Sequence, residues 1–139
     1  MSDHPSVPAP DHITERLRSA RNVWMGTSRR DGSSHLTPVW FTHLRDRWWV
    51  CTGPGTVKAR NIAADPRVSL ALEDGDAPVV AEGTATVHTA PFPADVVASF
   101  HDRYGWNIEE AVARSGRPQV LLEIGVRRWL MAGRAQDPA

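Results

Sequence analysis

A short stretch between a hydrophobic strand and a helix carries the residues that are best suited to chemistry. Two hydroxyls, two glycines and two cations occur there: Thr52, Thr56, Gly53, Gly55, Lys58 and Arg60. The N-terminus of a helix attracts anions, because its first N–H groups have no partner within the helix and its dipole is positive at that end. The pattern therefore predicts a cradle for a phosphate group. A turn that only joins the strand to the helix would also contain these residues.

Known nucleotide-binding motifs do not match this stretch. A Walker loop has Gly-Lys-Ser/Thr after a longer glycine loop, whereas Lys58 follows Val57 and precedes Ala59. A Rossmann fingerprint needs further glycines at fixed spacing inside a strand–helix–strand unit, and the sequence lacks them. The predicted phosphate is therefore neither the triphosphate of a Walker loop nor the pyrophosphate of a Rossmann domain.

The sequence predicts no metal centre and no catalytic triad. The six histidines are not spaced with another His, a Cys or a carboxylate in a way that matches a zinc site. The local sequence contains no Ser-His-Asp or Cys-His arrangement. Cys51 lies in a hydrophobic strand, which is typical of a small buried apolar residue. We therefore assign no catalytic side chain.

Composition and charge argue against several classes of protein. The formal net charge of the 139 residues is zero, so there is no basic excess to neutralise a nucleic-acid backbone. The first residues lack the apolar segment of a signal peptide, and no apolar run approaches the length of a membrane span. A single cysteine suits a reducing compartment. We expect a soluble, cytoplasmic protein that binds a small molecule and neither nucleic acid nor a membrane.

The hydrophobic pattern predicts strands joined by tight turns, with short helices between them. Strands are predicted at residues 22–28, 33–43, 47–52, 67–73, 78–89, 119–124 and 127–131. Helices are predicted at residues 11–20, 56–64, 93–103 and 108–114. Gly83, in the middle of a long strand, indicates a bulge or a close approach by a ligand or another backbone. Six or seven strands with short helices indicate an antiparallel barrel, an α+β fold.

Six motifs follow one another in the order and spacing of a known family. They are TSRRDG at 27–32, LTPVWF at 36–41, TGPG at 52–55, KARNI at 58–62, DPRV at 65–68 and VAEGTA at 80–85. Later segments at 103–106, 120–124 and 128–130 also fit. Over roughly residues 13–133 the chain resembles the pyridoxamine 5′-phosphate oxidase-like split-barrel superfamily. More narrowly, it resembles the flavin/deazaflavin oxidoreductase branch of that superfamily.

The resemblance implies a six-stranded antiparallel split β-barrel with short flanking helices. It also implies a homodimer with two equivalent cofactor sites at the interface. Residues 11–133 would form this domain, between a disordered tail at residues 1–10 and a loose tail at residues 134–139. The implied cofactor is FMN or the deazaflavin coenzyme F-420.

The resemblance assigns the cofactor's phosphate to the stretch described first. Lys58 matches the phosphate-binding lysine of the family, and Asn61 lies three residues further on in the same helix. Arg60, Thr52 and Thr56 are expected neighbours of the same phosphate. The flavin-type ring would lie against the strand that is matched by four residues: Pro38, Val39, Trp40 and Phe41. Trp106 and Trp129 are candidates for the pocket wall supplied by the partner chain, with core packing as the alternative.

The implied function is that of an oxidoreductase. It would transfer a hydride between coenzyme F-420 and a small conjugated organic substrate. One alternative is an FMN-dependent oxidase or reductase of the pyridoxamine phosphate oxidase-like type. Another is a non-catalytic protein that binds a flavin or a tetrapyrrole. The lack of an evident acid–base pair does not argue against an enzyme, because the cofactor itself supplies the hydride.

Overall fold

The computed structural model of the protein describes residues 5–134. Residues 1–4 of the predicted disordered tail, and nearly all of the predicted tail at residues 134–139, lie outside the described residues. Residues 5–10 have no regular secondary structure, and the N–H of Val7 donates to the carbonyl of Val126 on the last strand at 2.8 Å. The first turn of helix is a 3-10 helix at Asp11–Ile13.

Residues 5–134 form four α-helices and seven strands. The helices are α1 (Thr14–Ser19), α2 (Val57–Ala64), α3 (Ala94–Tyr104) and α4 (Ile108–Ser115). The strands are β1 (Val23–Ser28), β2 (Ser34–Val39), β3 (Thr42–Leu44), β4 (Arg47–Thr52), β5 (Arg67–Leu72), β6 (Val79–His88) and β7 (Val120–Ala132). The expected α+β class, with an antiparallel sheet and short helices, is confirmed.

The sheet has the order β2-β1-β5-β6-β7-β4-β3, and every pairing is antiparallel. β2 and β3 lie at opposite ends of this order, yet only Trp40 and Phe41 separate them in the chain. Three residue steps span at most about 11 Å, so the two ends of the sheet must lie close together. The sheet therefore curls into a split barrel.

Two strand predictions are corrected by this topology. The strand predicted at residues 33–43 is divided at Trp40 and Phe41, because its first half pairs with β1 and its second half pairs with β4. The strands predicted at residues 119–124 and 127–131 are one strand, β7, which pairs with β4 and along its length with β6. The resemblance implies six strands, whereas the structure has seven segments. The difference arises because one of the six strands is interrupted and forms both β2 and β3.

Gly83 lets β6 and β7 approach closely. A Cβ atom at this position would lie 2.2 Å from the carbonyl oxygen of Gly125 on β7. The register of the two strands shifts at Val80/Ala81 and again at Glu82/Gly83. Both the bulge and the close backbone approach that were predicted for Gly83 are confirmed.

Hydrophobic side chains form two cores on opposite faces of β4. Trp48 and Val50 point into the barrel and are fully buried there. Trp49, one residue away, points outward. It packs against Val96 and Phe100 of α3 and Ile108 of α4. Because helices cover its outer face, β4 is apolar on both sides, which explains its unbroken hydrophobic sequence.

Local capping sets the position of α2. Thr56 is its N-cap, and its hydroxyl accepts a hydrogen bond from the N–H of Ala59. At the other end, Asp65 precedes a proline and has extended backbone angles, as residues before proline prefer. The buried amide of Asn61 donates to Thr27 Oγ1 at 3.0 Å and so ties the helix to β1.

Candidate functional site

A network of hydroxyls shapes the turn before α2. Thr56 Oγ1 donates to the carbonyl of Gly53 at 3.0 Å and accepts from the N–H of Ala59 at 3.3 Å. Since its only proton is used there, Thr52 must donate across the 3.0 Å between the two hydroxyl oxygens. Both protons are engaged within the turn. Direct donation from Thr52 or Thr56 to a phosphate stays a prediction that requires these bonds to exchange.

The N-terminus of α2 presents positive charge without a carboxylate to offset it. Lys58 is half-buried, and burial lowers the pKa of its ammonium group. None of the carboxylates in residues 5–134 forms an ion pair with Lys58, and the first turn of α2 contains no acidic residue. Among the described residues, nothing accepts from the N–H groups of Val57 and Lys58. These features fit an anionic group.

His35 adds a further polar group to this site, and sequence reasoning did not place it beside the phosphate. Its Nδ1 atom is buried and has no hydrogen-bond partner among the described residues. Burial lowers the pKa of His35, and the charges of Arg29 and Lys58 lower it further, which places three potentially cationic groups close together. His35 lies opposite Thr27 in the β1–β2 register. We refer to Thr52, Thr56, Lys58 and His35 as the α2 cradle.

Two other predicted phosphate neighbours have different surroundings. Asn61 is 8% exposed, and its amide nitrogen donates to Thr27. This bond gives Asn61 a role in holding α2 against the barrel. Arg60 is exposed on the solvent side of the helix. A contact of either residue with a cofactor stays a prediction.

The four residues predicted to lie against a ring, Pro38–Phe41, do not share one environment. Phe41 is fully buried in the barrel. Trp40 is 39% exposed and stacks on Tyr104, with 4.4 Å between ring centroids and 5° between ring planes. Pro38 and Val39 end β2, with Pro38 exposed. The hydroxyl of Tyr104 accepts from the N–H of Phe41 at 3.0 Å, which holds the interruption between β2 and β3.

The two candidate wall tryptophans pack within their own chain. The ring of Trp106 lies edge-on to Trp40, with 6.3 Å between centroids, at the margin of the α3 core. Trp129 lies 6.0 Å from Trp48, and its indole N–H donates to the carbonyl of Val7 at 3.1 Å. Both side chains are partly exposed. A role in a partner's pocket stays a prediction for each of them.

A groove of ≈ 830 Å³ runs across the outer face of the barrel from His35. Ligand pockets for small molecules commonly have volumes of about 300–1,000 Å³. Small residues on three neighbouring strands keep the floor open: Gly26, Ser28, Ser34 and Ser69. Arg67, Arg127 and Arg128 line its far side, and Arg128 pairs with Glu82 at 2.7 Å. We call this the outer groove.

The described residues contain neither a metal-binding cluster nor a reactive thiol. Within residues 5–134, no cluster of three or more His, Cys, Asp or Glu side chains is arranged to hold a metal ion. Burial raises the pKa of Cys51 to about 12, so its thiol stays protonated at neutral pH. None of the helices in this part of the chain has the length and apolarity needed to cross a membrane.

Several solved structures share this fold. A conserved hypothetical protein, Rv2991 from Mycobacterium tuberculosis, is 28% identical, with a TM-score of 0.72 over 93% of this chain and 89% of that one. An F-420 reductase is 21% identical, with a TM-score of 0.70 over 86% of this chain and 97% of the reductase. The heme storage protein HutZ from Vibrio cholerae is 16% identical, with a TM-score of 0.71 over 88% and 92%.

The family itself follows from the sequence match. No curated protein is similar enough to match the chain. A model of the pyridoxamine 5′-phosphate oxidase family matches residues 9–132, which include every strand and helix described above. The match covers both the α2 cradle and the outer groove. The chain therefore belongs to the pyridoxamine 5′-phosphate oxidase family, whose fold binds flavins and whose members include oxidoreductases.

Proposed function

We propose that this protein is an oxidoreductase that transfers a hydride between the deazaflavin coenzyme F-420 and a small conjugated organic substrate. The observation that carries the proposal is the uncompensated positive charge of the α2 cradle at the end of the outer groove. Membership of a flavin-binding fold family supports a flavin-like ligand. The similarity to an F-420 reductase supports the deazaflavin as that ligand.

Each part of the cradle has a task in this proposal. Lys58 and the free N–H groups at the start of α2 bind the phosphate through charge-assisted hydrogen bonds. His35 donates to the same anion from Nδ1, which has no hydrogen-bond partner among the described residues. The Thr52–Thr56 hydroxyl bond keeps the turn in the shape that exposes these groups. The bound cofactor supplies the hydride, while the chain orients the ring and excludes water.

A homodimer completes the site in this proposal, with residues 11–133 as the cofactor-binding domain. The outer face of β1 and β2 exposes large apolar side chains, and Leu36 is 61% exposed. Trp24 lies opposite Pro38 in the register, on the same face as Leu36. Exposed apolar patches of this kind often mark interfaces. In such a dimer, Trp106 and Trp129 would face the cofactor ring bound by the partner subunit. We place the dimer in the cytoplasm, where the Cys51 thiol stays reduced.

Cofactor binding and turnover test the proposal in sequence. The purified protein is titrated with coenzyme F-420 and with FMN, and the bound species is identified by its absorption spectrum and mass. Reduced cofactor is then mixed with quinones, nitroaromatic compounds and tetrapyrroles. We expect tighter binding of F-420 and oxidation of reduced F-420 by a conjugated acceptor.

Other outcomes select the alternatives. Tight binding of FMN with no affinity for F-420 would contradict the deazaflavin proposal and favour an FMN-dependent oxidase or reductase. Binding of a flavin or a tetrapyrrole without turnover would favour a non-catalytic binding protein. The fold shared with the heme storage protein HutZ is the reason for including tetrapyrroles.

A further inference from the structure

A second cavity lies on the opposite side of β4 from the α2 cradle. Its volume is ≈ 550 Å³, and it is bounded by β4, β7, the end of β6 and the loop that leads into α3. Its lining includes His88, Glu123, Trp49, Phe92, Arg45 and Asp95. We call it the His88 cavity. No residue of the α2 cradle lines it.

A buried carboxylate forms the floor of this cavity. The side chain of Glu123 is 2% exposed, and Arg47 Nε lies 2.6 Å from its Oε2 atom. His88 Nε2 lies 2.7 Å from Oε1. The guanidinium group stabilises the ionised carboxylate, because an opposite charge within hydrogen-bond distance favours the charged form. An ionised carboxylate only accepts hydrogen bonds, so His88 must donate from Nε2.

This bond determines what His88 offers to the cavity. In the neutral imidazole with hydrogen on Nε2, Nδ1 carries a lone pair and accepts hydrogen bonds. No hydrogen bond from a residue in the range 5–134 reaches Nδ1. The His88 side chain is 34% exposed and lines the cavity. In this tautomer His88 presents to the cavity an oriented acceptor that no described residue occupies.

The charged side chains at the cavity are paired with one another. Arg45 Nε lies 3.1 Å from Asp95 Oδ2, and its guanidinium group lies over the ring of Trp49, 4.9 Å from the centroid. Arg47 pairs with Glu123. Apolar surface is contributed by Phe92 and by prolines on either side of it. Among the described residues, an ionic ligand would find no unpaired opposite charge in this cavity. A neutral, flat molecule with one donor would match both the apolar walls and the acceptor.

We propose that the His88 cavity binds a small neutral phenol, that is, an aromatic ring with one hydroxyl group. The hydroxyl donates to Nδ1 of His88, and the ring packs against Phe92 and its neighbouring prolines. Glu123 and Arg47 act as positioning residues, because they fix the tautomer and the orientation of the imidazole. This site is independent of the proposed cofactor, so either proposal can fail without the other.

Phenol and anisole are the matched probes, since anisole keeps the ring and the oxygen but has no O–H to donate. The full chain is labelled with ¹⁵N-histidine and titrated with each compound. We expect a saturable shift of the His88 Nδ1 resonance with phenol, and affinity for anisole about tenfold weaker, the size of one neutral hydrogen bond. Equal affinities for the two probes, or no saturable shift with phenol, would overturn the proposal.

Two variants make the same test on the protein side. His88→Lys keeps a donor for Glu123 but carries no acceptor, so the affinity for phenol should fall about tenfold. His101→Lys makes the same exchange at an exposed histidine on α3 and should bind phenol as the parent does. Unchanged phenol binding by folded His88→Lys contradicts the proposal. If that variant does not fold, the two probes on the parent chain still decide the question.

Discussion

The α2 cradle and the His88 cavity differ in whether their charged groups are paired. In the cradle, Lys58 and His35 lie near each other and neither is paired with a carboxylate of the described residues. In the cavity, Glu123 contacts both Arg47 and His88. A half-buried cation that lacks a carboxylate partner is unfavourable until an anion arrives, whereas a buried and compensated carboxylate is part of the folded structure. The comparison predicts loss of binding at one site and loss of stability at the other.

The largest effect is expected for Glu123→Ala, because it leaves Arg47 and His88 without their buried partner. Removing one member of a buried pair costs about 3–5 kcal/mol. We expect the free energy of unfolding, measured by urea titration, to fall by about 3 kcal/mol, since Arg47 retains some solvent contact. The control is Glu82→Ala, which removes the exposed pair with Arg128 and should cost less than about 1 kcal/mol. Similar losses of stability in the two variants would contradict the contrast between the buried and the exposed carboxylate.

At the cradle, Lys58→Met should weaken cofactor binding and leave the fold intact. A charge-assisted hydrogen bond contributes about 1.5–3 kcal/mol, so the dissociation constant for the cofactor should rise roughly tenfold to a hundredfold. Fluorescence or absorbance titration with F-420 and FMN measures this change. Arg114→Met removes the same charge from the exposed face of α4 and should leave the affinity within about twofold. Unchanged affinity in Lys58→Met would mean that the phosphate lies elsewhere.

His43 shows what burial does to a base that has no carboxylate bonded to it. Burial is the main cause that lowers the pKa of His43 to about 4, and its buried Nε2 atom has no hydrogen-bond partner among the described residues. Since the unfolded chain then binds a proton that the folded chain does not, stability must fall as the pH drops from about 6.5 towards 4. This contribution amounts to about 2 kcal/mol between pH 7 and pH 5.

His43→Leu tests this contribution by difference. The variant has no proton to bind at this position, so its free energy of unfolding should lose about 2 kcal/mol less than that of the parent between pH 7 and pH 5. Urea titrations at the two pH values measure the difference. The same pH dependence in parent and variant would show that His43 does not titrate in this range.

The smallest effect is expected at the N-cap of α2. Thr56→Ala removes the oxygen that accepts from the N–H of Ala59, and loss of such a cap costs about 1 kcal/mol. Thr56→Ser keeps the oxygen and should cost only a few tenths of that amount, about 0.3 kcal/mol. If the two variants are equally stable, the hydroxyl does not act as the cap. Cofactor affinity measured on both would show whether the shape of the turn contributes to the cradle.

The secondary structure was largely predictable because its signals are local. The start of α2 at Thr56, its end before Asp65-Pro66 and the bulge at Gly83 each depend on residues within a few positions of the feature. The two errors in the strands have non-local causes. The break at Trp40 arises because residues before it pair with β1 at one edge of the sheet and residues after it pair with β4 near the other edge. The strand β7 continues through Gly125 because both β4 and β6 pair with it.

The residues of the candidate site also differ in whether local sequence signals could find them. Lys58 was found from its position after a glycine turn, which is a local signal. His35 was not assigned to the phosphate site, because its place near Lys58 depends on the β1–β2 register and on where α2 packs. The pair of His88 and Glu123 was not found either, since 35 residues separate them in the chain.

The sequence by itself determined that a short helix with a lysine in its first turn follows a glycine turn, and which family the chain belongs to. Only the tertiary structure decided which charges are compensated. The reason is physical: Coulomb energy depends on the distance between groups, and the cost of leaving a charge unpaired depends on its burial. Strand register and helix packing set both quantities. They bring Arg47, His88 and Glu123 together and leave Lys58 without a carboxylate partner among the described residues.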